Sequence, residues 1–454
     1  MYNMQTIQTD VVIIGAGYAG IAAARKLQDA GKSFIVVEAR DRIGGRVNTE
    51  KLACGATVDL GAQWIGPTQH HIWKWAKETN TETYDCYDTG KNILAWKNKI
   101  STYKGTIPKI DPISLIDLGI AIERINKLCK QIPLDAPWSH PKALEYDSMT
   151  LHTWMEKNMY TKKAKHLFNI GVETVFAAGA HEISFLHALF YCHSGDNMEA
   201  LISIANGAQQ TLVKGGTQGL LQKVAAPFQD KIYLNNPVLK INQEENGITV
   251  ESEKLSIHAK KCISTIPPAL LNTIRFSPIL PQRKAQLLQR VPMGAAMKCF
   301  CIYKTPFWRK KGFSGQIVCD TLPVRVTFDC TNKDDDFGVL LVFVEGHNAR
   351  DFIEQPEAER KEKILKQLIG YFGEEARNIL EYKDKCWTEE EFSRGCYAGN
   401  MPTGVLTQFG KTLREPCMHL HFAGTETAMR WNGYMDGAME SGFRAVDEVL
   451  KTLS

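Results

Sequence analysis

Gly15, Gly17 and Gly20, with a carboxylate at Glu38, are the first residues along the chain whose spacing suits chemistry on a phosphate ester. Gly15 permits a tight turn. Gly17 lets the backbone approach a pyrophosphate, and Gly20 lets a helix pack against the preceding strand. The amides of that turn, Ala16 among them, lead into a helix N-terminus whose free N–H groups and positive dipole end suit anionic oxygens. Glu38 stands 23 residues after Gly15, where a carboxylate can accept hydrogen bonds from ribose hydroxyls. Three local elements must hold these residues. They are a buried strand over 11–14, a helix opened by the turn 15–20 and running to 29, and a second strand over 34–38. Gly31 and Lys32 end the helix. The flanking strand and helix, together with the placed acid, separate this βαβ unit from a glycine-rich turn of an unrelated fold, and they point to a dinucleotide.

Farther along, a helix-rich middle is predicted over 113–204, with 147–150 as a helix entry. Short strands are expected over 231–258 around the turn 244–247, and another over 262–266, stopped by Pro267 and Pro268. Strand signals recur at 297–303, 324–329 and 339–345. An amphipathic helix follows over 358–372, then a strand at 419–423 and a long helix from about 433 to 450. Both ends of the chain read as cofactor-domain elements, so that domain is expected to be discontinuous.

Composition excludes several classes. The chain has 454 residues, 44% hydrophobic and 23% charged, enough for a large core or two to three domains. A net charge of +4 is too mild for a nucleic-acid reader. The densest basic run, Arg309-Lys310-Lys311, and the acidic run 334–336 are read as solvated loops. None of the 12 cysteines forms a Cys-x-x-Cys pair or a zinc spacing, so no metal site is expected, and buried free thiols suit a reducing compartment. Residues 1–9 do not make a signal peptide, and no stretch reaches about 18 apolar residues. The expectation is a cytoplasmic chain without a transmembrane anchor.

The residues after Glu38 choose between dinucleotides. Ala39-Arg40-Asp41-Arg42-Ile43-Gly44-Gly45-Arg46 adds a second glycine pair and an arginine. This segment resembles that of the large flavoprotein oxidases, in which it also contacts the FAD diphosphate. The far end of the chain narrows the resemblance. Phe422-Ala-Gly424-Thr-Glu426-Thr-Ala-Met-Arg-Trp431-Asn-Gly-Tyr434-Met435 looks like a signature of the flavin-containing monoamine oxidase family. So do Gly61-Ala62-Gln63-Trp64, Asn206-Gly-Ala-Gln209 before Val213-Lys-Gly-Gly216, and Gly395-Cys396-Tyr397. These motifs run in family order over nearly the whole chain.

The resemblance implies an α/β fold with two parts. A discontinuous Rossmann-like FAD-binding domain would comprise residues 1–80, 207–290 and 385–454. A substrate domain with a mixed sheet flanked by helices would comprise 81–206 and 291–384. It further implies that Arg46, Gly61, Ala62, Gln63, Trp64 and Trp387 surround the flavin and that Val238 meets the adenine through its backbone. Gly424 and Glu426 would lie by the ribityl and phosphate part, with Met435 at the start of the last helix by the flavin.

Tyr397 and Tyr434 match the two facing rings that steer a neutral amine to the flavin. Lys298 matches a lysine that holds a water against the flavin and serves reoxidation by O2. A lysine in an apolar strand is costly unless hydrogen-bonded, which argues against a surface role. Cys396 matches the cysteine that attaches FAD through a thioether, although Arg394 and the segment 398–401 depart from the family pattern. Phe176, Tyr191, Gln209, Val326 and Phe343 match substrate-wall positions.

The reaction so implied is oxidation of primary, apolar or aromatic monoamines by O2 to aldehyde, ammonia and hydrogen peroxide. An L-amino-acid oxidase would need an arginine for the carboxylate, and a polyamine or diamine oxidase would need acids along the tunnel. A flavin-binding interaction protein without turnover would not need both tyrosines and Lys298. The expected partners are a small amine and O2, with a homodimer left open.

Overall fold

A computed structural model describes residues 4–332, 334–335 and 337–453. Asp336, the last residue of the acidic run, lies outside the described residues. Gln5–Ile14, Tyr18–Asp29 and Phe34–Val37 form the expected strand, helix and strand. The first strand begins well before the apolar 11–14 stretch because its earlier residues pair with Leu255–Ser264. Val11, Val12 and Ile13 are fully buried at its centre.

Four parallel strands form one side of an eight-stranded sheet, from its edge inward. They run in the order Ile232–Tyr233, Phe34–Val37, Gln5–Ile14 and Leu255–Ser264. Leu420–Phe422 adds in parallel beside the last of these. The antiparallel strands Gly247–Glu251 and Lys240–Glu244 extend the sheet, and Arg275–Ser277 closes that side. The strand expected over 262–266 is the end of the longer Leu255–Ser264, which stops at the Thr265 turn rather than at the prolines. The last helix, Met435–Leu450, packs on Tyr18–Asp29. Gly442 permits this contact, since a Cβ there would lie 2.3 Å from the Ala19 carbonyl oxygen.

A second, seven-stranded mixed sheet is built on Ala296–Tyr303, which pairs antiparallel with Gly338–Glu345 on one side and Ile379–Cys386 on the other. Every residue of Ala296–Tyr303 and Gly338–Glu345 is buried. The two faces separate with the period of two that a strand imposes. Met297, Cys299, Cys301 and Tyr303 pack in one hydrophobic cluster, with Leu340, Val342 and Val344. Phe300, Ile302, Leu341 and Phe343 pack in another, with the helices Pro112–Cys129, Lys162–Phe176 and Phe185–Ser194. Lys298 and Glu345 fall on this second face by register. The helix entry at 147–150 is used: Thr150 caps Leu151–Asn158 by accepting from the Thr153 amide.

One of the two surface readings changes. Arg309 is not a solvated charge. Its guanidinium pairs with the fully buried Asp329 at 2.7 Å and lies 3.9 Å over the Tyr87 ring. Asp334 does sit at the surface, paired to Lys214 at 3.1 Å. The twelve cysteines are free thiols, eleven of them buried. Among the described residues no helix is long and apolar enough to cross a membrane, and no cluster of acids, histidines and cysteines could hold a metal.

Candidate active site

A cavity of about 610 Å³ runs between the two sheets, a size ordinary for a small-molecule site. At one end it is lined by Gly15, Gly17, Glu38, Ala39, Arg40, Gly45 and Val238. At the other it is lined by Gln63, Trp64, Tyr191, Gln209, Lys298, Phe343, Tyr397 and Tyr434. Arg46, Gly61, Ala62, Trp387, Cys396, Gly424 and Met435 also line it.

The glycine turn has the shape the spacing implies. A Cβ at Gly20 would stand 1.9 Å from the Gly15 carbonyl oxygen, so only glycine lets the helix start this close to the strand. Glu38 Oε2 accepts from the Ala16 amide at 2.8 Å and Oε1 from the Arg40 amide at 3.0 Å. Bonds from the Asn235 and Asn236 amides to the Arg40 and Glu38 carbonyls bring the 235–238 loop alongside. Ala16 and Gly20 therefore support the cavity from behind rather than line it.

Arg46 makes a bidentate pair with Glu426, at 2.6 and 3.1 Å, and donates to the Tyr397 carbonyl at 2.9 Å. Burial alone would raise the Glu426 carboxyl, but the Arg46 charge outweighs it and holds the group below its ordinary range. Glu426 thus stands behind Arg46, not in the cavity wall. Trp387 donates to the Leu60 carbonyl at 2.8 Å and packs with Ala296 and Cys396. Burial pushes the Cys396 thiol up to about 12, with the Arg46 guanidinium opposing.

Lys298 is 3% exposed and donates to the Asp59 carbonyl at 2.6 Å, the Gly61 carbonyl at 2.8 Å and Gln63 Oε1. Its three donors are all engaged, so a water facing it must displace one of these partners, of which only Gln63 is a side chain. Burial pulls the ammonium down to about 8, opposed first by Asp59. Burial raises Asp59 to about 6, against the hydroxyl of Thr49 and the charge of Lys298.

The two tyrosines are held from different sides. Tyr397 packs edge-on to Phe343, with ring centroids 6.3 Å apart. Tyr434 packs edge-on to Trp431 at 5.0 Å and lies 6.2 Å from Tyr191. Tyr434 is the N-cap of the last helix and Met435 its first residue, so that helix N-terminus opens on the cavity.

Two expected wall residues stand elsewhere. Phe176 packs behind Tyr191 at 4.7 Å, and Thr174 lines the cavity instead. Residues two apart on a helix point roughly 200° apart, which is why this helix can present only one of them. Val326 lines a smaller neighbouring cavity of about 240 Å³, while Phe328, two residues on in the same strand, lines both. Motif matching missed Thr174, Phe328 and the buried acids Asp59 and Glu345. The one available signal was an acid placed in register with apolar strand residues.

The cavity fits an FAD by its own features. The glycine cradle and helix N-terminus suit the diphosphate, and Glu38 beside the 235–238 loop suits the adenosine.

Residues 18–450 match the family model described as flavin containing amine oxidoreductase. The chain is 37% identical over 449 residues to human amine oxidase [flavin-containing] B, covering 98% of this chain and 86% of that one. It resembles the solved structure of wild-type putrescine oxidase bound to putrescine, with a TM-score of 0.94 and 31% identity over 98% of this chain and 100% of that one. The cyclohexylamine oxidase of Brevibacterium oxydans superposes equally well, with a TM-score of 0.94 and 31% identity over 98% and 99% of the two chains. With nearly its whole length matched in this way, the chain belongs to the flavin-containing amine oxidoreductase family and is an FAD-dependent amine-oxidising enzyme.

Proposed function

We propose that the chain oxidises primary amines with a single nitrogen and an apolar or aromatic body, giving aldehyde, ammonia and hydrogen peroxide at the expense of O2. The observation that carries this reading is the lining of the end that holds Lys298. Among the described residues it has Trp64, Tyr191, Phe328, Phe343, Tyr397 and Tyr434, and no acid. The acids of the lining, Glu38, Glu253 and Glu391, belong to the Arg40–Val238 end. A diamine would leave its second ammonium without a counter-charge there. An amino acid would need a free cation, but Arg46 is committed to Glu426 and Lys298 to two carbonyls and Gln63.

FAD, held by the glycine turn 15–17, Glu38 and Arg46, would supply a two-electron acceptor for the carbon next to the nitrogen and the route from there to O2. The chain does the rest. Tyr397 and Tyr434 offer negative ring faces that orient an amine by its N–H dipoles without demanding that it be protonated. Gln209, whose Nε2 is held by the Leu201 carbonyl at 3.0 Å, lines the same space. Lys298 supplies positive charge where O2 takes up electrons. The N-terminus of the last helix favours negative charge near Met435. Cys396 would carry the cofactor through a thioether. The eight-stranded sheet with residues 1–80, 207–290 and 385–454 serves as the cofactor domain, and 81–206 with 291–384 as the substrate domain.

A panel of benzylamine, n-butylamine, putrescine, spermine and L-amino acids, read by steady-state peroxide release, tests the reading. Turnover is expected with the first two. Turnover confined to putrescine or spermine, or to amino acids, would replace it with the corresponding branch, and peroxide from none would remove it.

A further inference from the structure

Glu345 is a fully buried carboxyl that neither lines the cavity nor takes part in the chemistry above. It ends the strand Gly338–Glu345, pairs in register with Ala296, and shares its strand face with Phe343 and Leu341. Every other side chain on that face of the strand is apolar, and a buried carboxyl is costly unless it is bonded. Its Oε1 accepts the hydroxyl hydrogen of Tyr397. Its Oε2 lacks a well-formed hydrogen bond, although Thr174 of the helix Lys162–Phe176 stands beside the carboxyl. Glu173 and Lys298 are the charged groups that face it.

Arg46 grips the Tyr397 carbonyl, Phe343 packs edge-on to its ring, the cluster of Ala177, Ala296, Trp387 and Cys396 packs against it, and Glu345 anchors its hydroxyl. Among the described residues, the bond to Glu345 is the hydrogen bond made by the far end of the ring.

We infer that Glu345 is a positioning residue for amine recognition, anchoring the Tyr397 hydroxyl so that the ring keeps its face toward the substrate space. This rests on the proposed amine-oxidase reading of the cavity. The carboxyl acts through Tyr397 and touches no reacting atom, so its loss should weaken amine binding more than it slows turnover. Burial, opposed first by the Tyr397 hydroxyl, raises the Glu345 carboxyl to about 8, so a neutral acid serves as the anchor at neutral pH.

The test uses the holoenzyme and benzylamine. Affinity is read as the Kd from the benzylamine dependence of anaerobic flavin reduction in stopped-flow, and kcat and KM by peroxide release. One side-chain hydrogen bond contributes about 0.5–1.5 kcal/mol, so Glu345→Leu should raise Kd and KM by about two- to twelvefold, with kcat changing less. Tyr397→Phe, which removes the same bond from the other side and leaves the strand intact, should give the same rise even if Glu345→Leu folds poorly. Glu345→Gln keeps an acceptor for the hydroxyl and should restore most of the affinity. The pair Glu345→Leu with Tyr397→Phe should be no worse than Tyr397→Phe alone. Unchanged affinity in Glu345→Leu and Tyr397→Phe, or a full additional loss in the double variant, would overturn the inference. Wild-type protein that binds and oxidises no amine would instead remove the functional reading beneath it.

Discussion

Lys298 has a positive charge in a strand whose other residues are apolar or thiol-bearing, and two backbone carbonyls keep it there. Its shift to about 8 leaves it largely an ammonium at neutral pH and largely neutral above pH 9. If that charge assists electron transfer to O2, Lys298→Met should slow flavin reoxidation by about 100-fold and affect reduction by the amine much less. Stopped-flow traces of the two half-reactions separate these effects, and equal slowing of both would assign Lys298 to the fold instead. The sign with pH follows from the same shift. Reoxidation by the wild type should fall as pH rises through about 8, and the methionine variant should lose that dependence.

The elements around the site are set by close backbone approaches. The first helix begins against the first strand only because position 20 has no side chain, and the last helix reaches the first only because position 442 has none. Overpacking such a contact costs about 1–3 kcal/mol. Gly20→Ala should lower the melting temperature and the flavin content together, because the turn that faces the diphosphate moves with the helix. Gly219 is a matched control, since it lies within the helix Gly216–Ala225 with open space where a Cβ would go. Gly219→Ala should keep full flavin content and be neutral or slightly stabilising. A Gly20→Ala protein with normal flavin content would show that the turn tolerates displacement.

Over the whole molecule, the cavity is lined by residues from Ile14 to Ala438, so the cofactor bridges segments that the chain itself leaves far apart. A thioether at Cys396 would make that bridge permanent. Acid-denatured wild type should keep its yellow colour on the polypeptide, whereas Cys396→Ser should release it. Once stripped, the serine variant should melt at a lower temperature, and FAD at a hundredfold excess over its Kd should return about 2.7 kcal/mol. Flavin freed from the wild type by acid would rule out the covalent link.

Much of this was legible in local pattern. The glycine spacing and the acid at Glu38 encode their own turn, because a tight approach to phosphate has few solutions in backbone geometry. The strands 297–303 and 339–345 were visible because burial on both faces leaves apolar runs at 299–303 and 339–344. The strand Ile379–Cys386 was not, because its charges are satisfied from elsewhere, as in Lys383 with Glu50 and Asp384 with Arg360. Arg309 likewise looked solvated until Asp329 came beneath it. Motif order alone pointed to Tyr397, Tyr434 and Lys298 as members of one site. Which of Thr174 and Phe176 faces the cavity depended on helix rotation, and whether Glu345 was a strand end or an anchor depended on which residue came to lie opposite it. Local sequence carries backbone conformation and periodicity. The contact between a carboxyl and a hydroxyl 52 residues apart exists only once the segment that carries Tyr397 folds back over the end of the strand Gly338–Glu345.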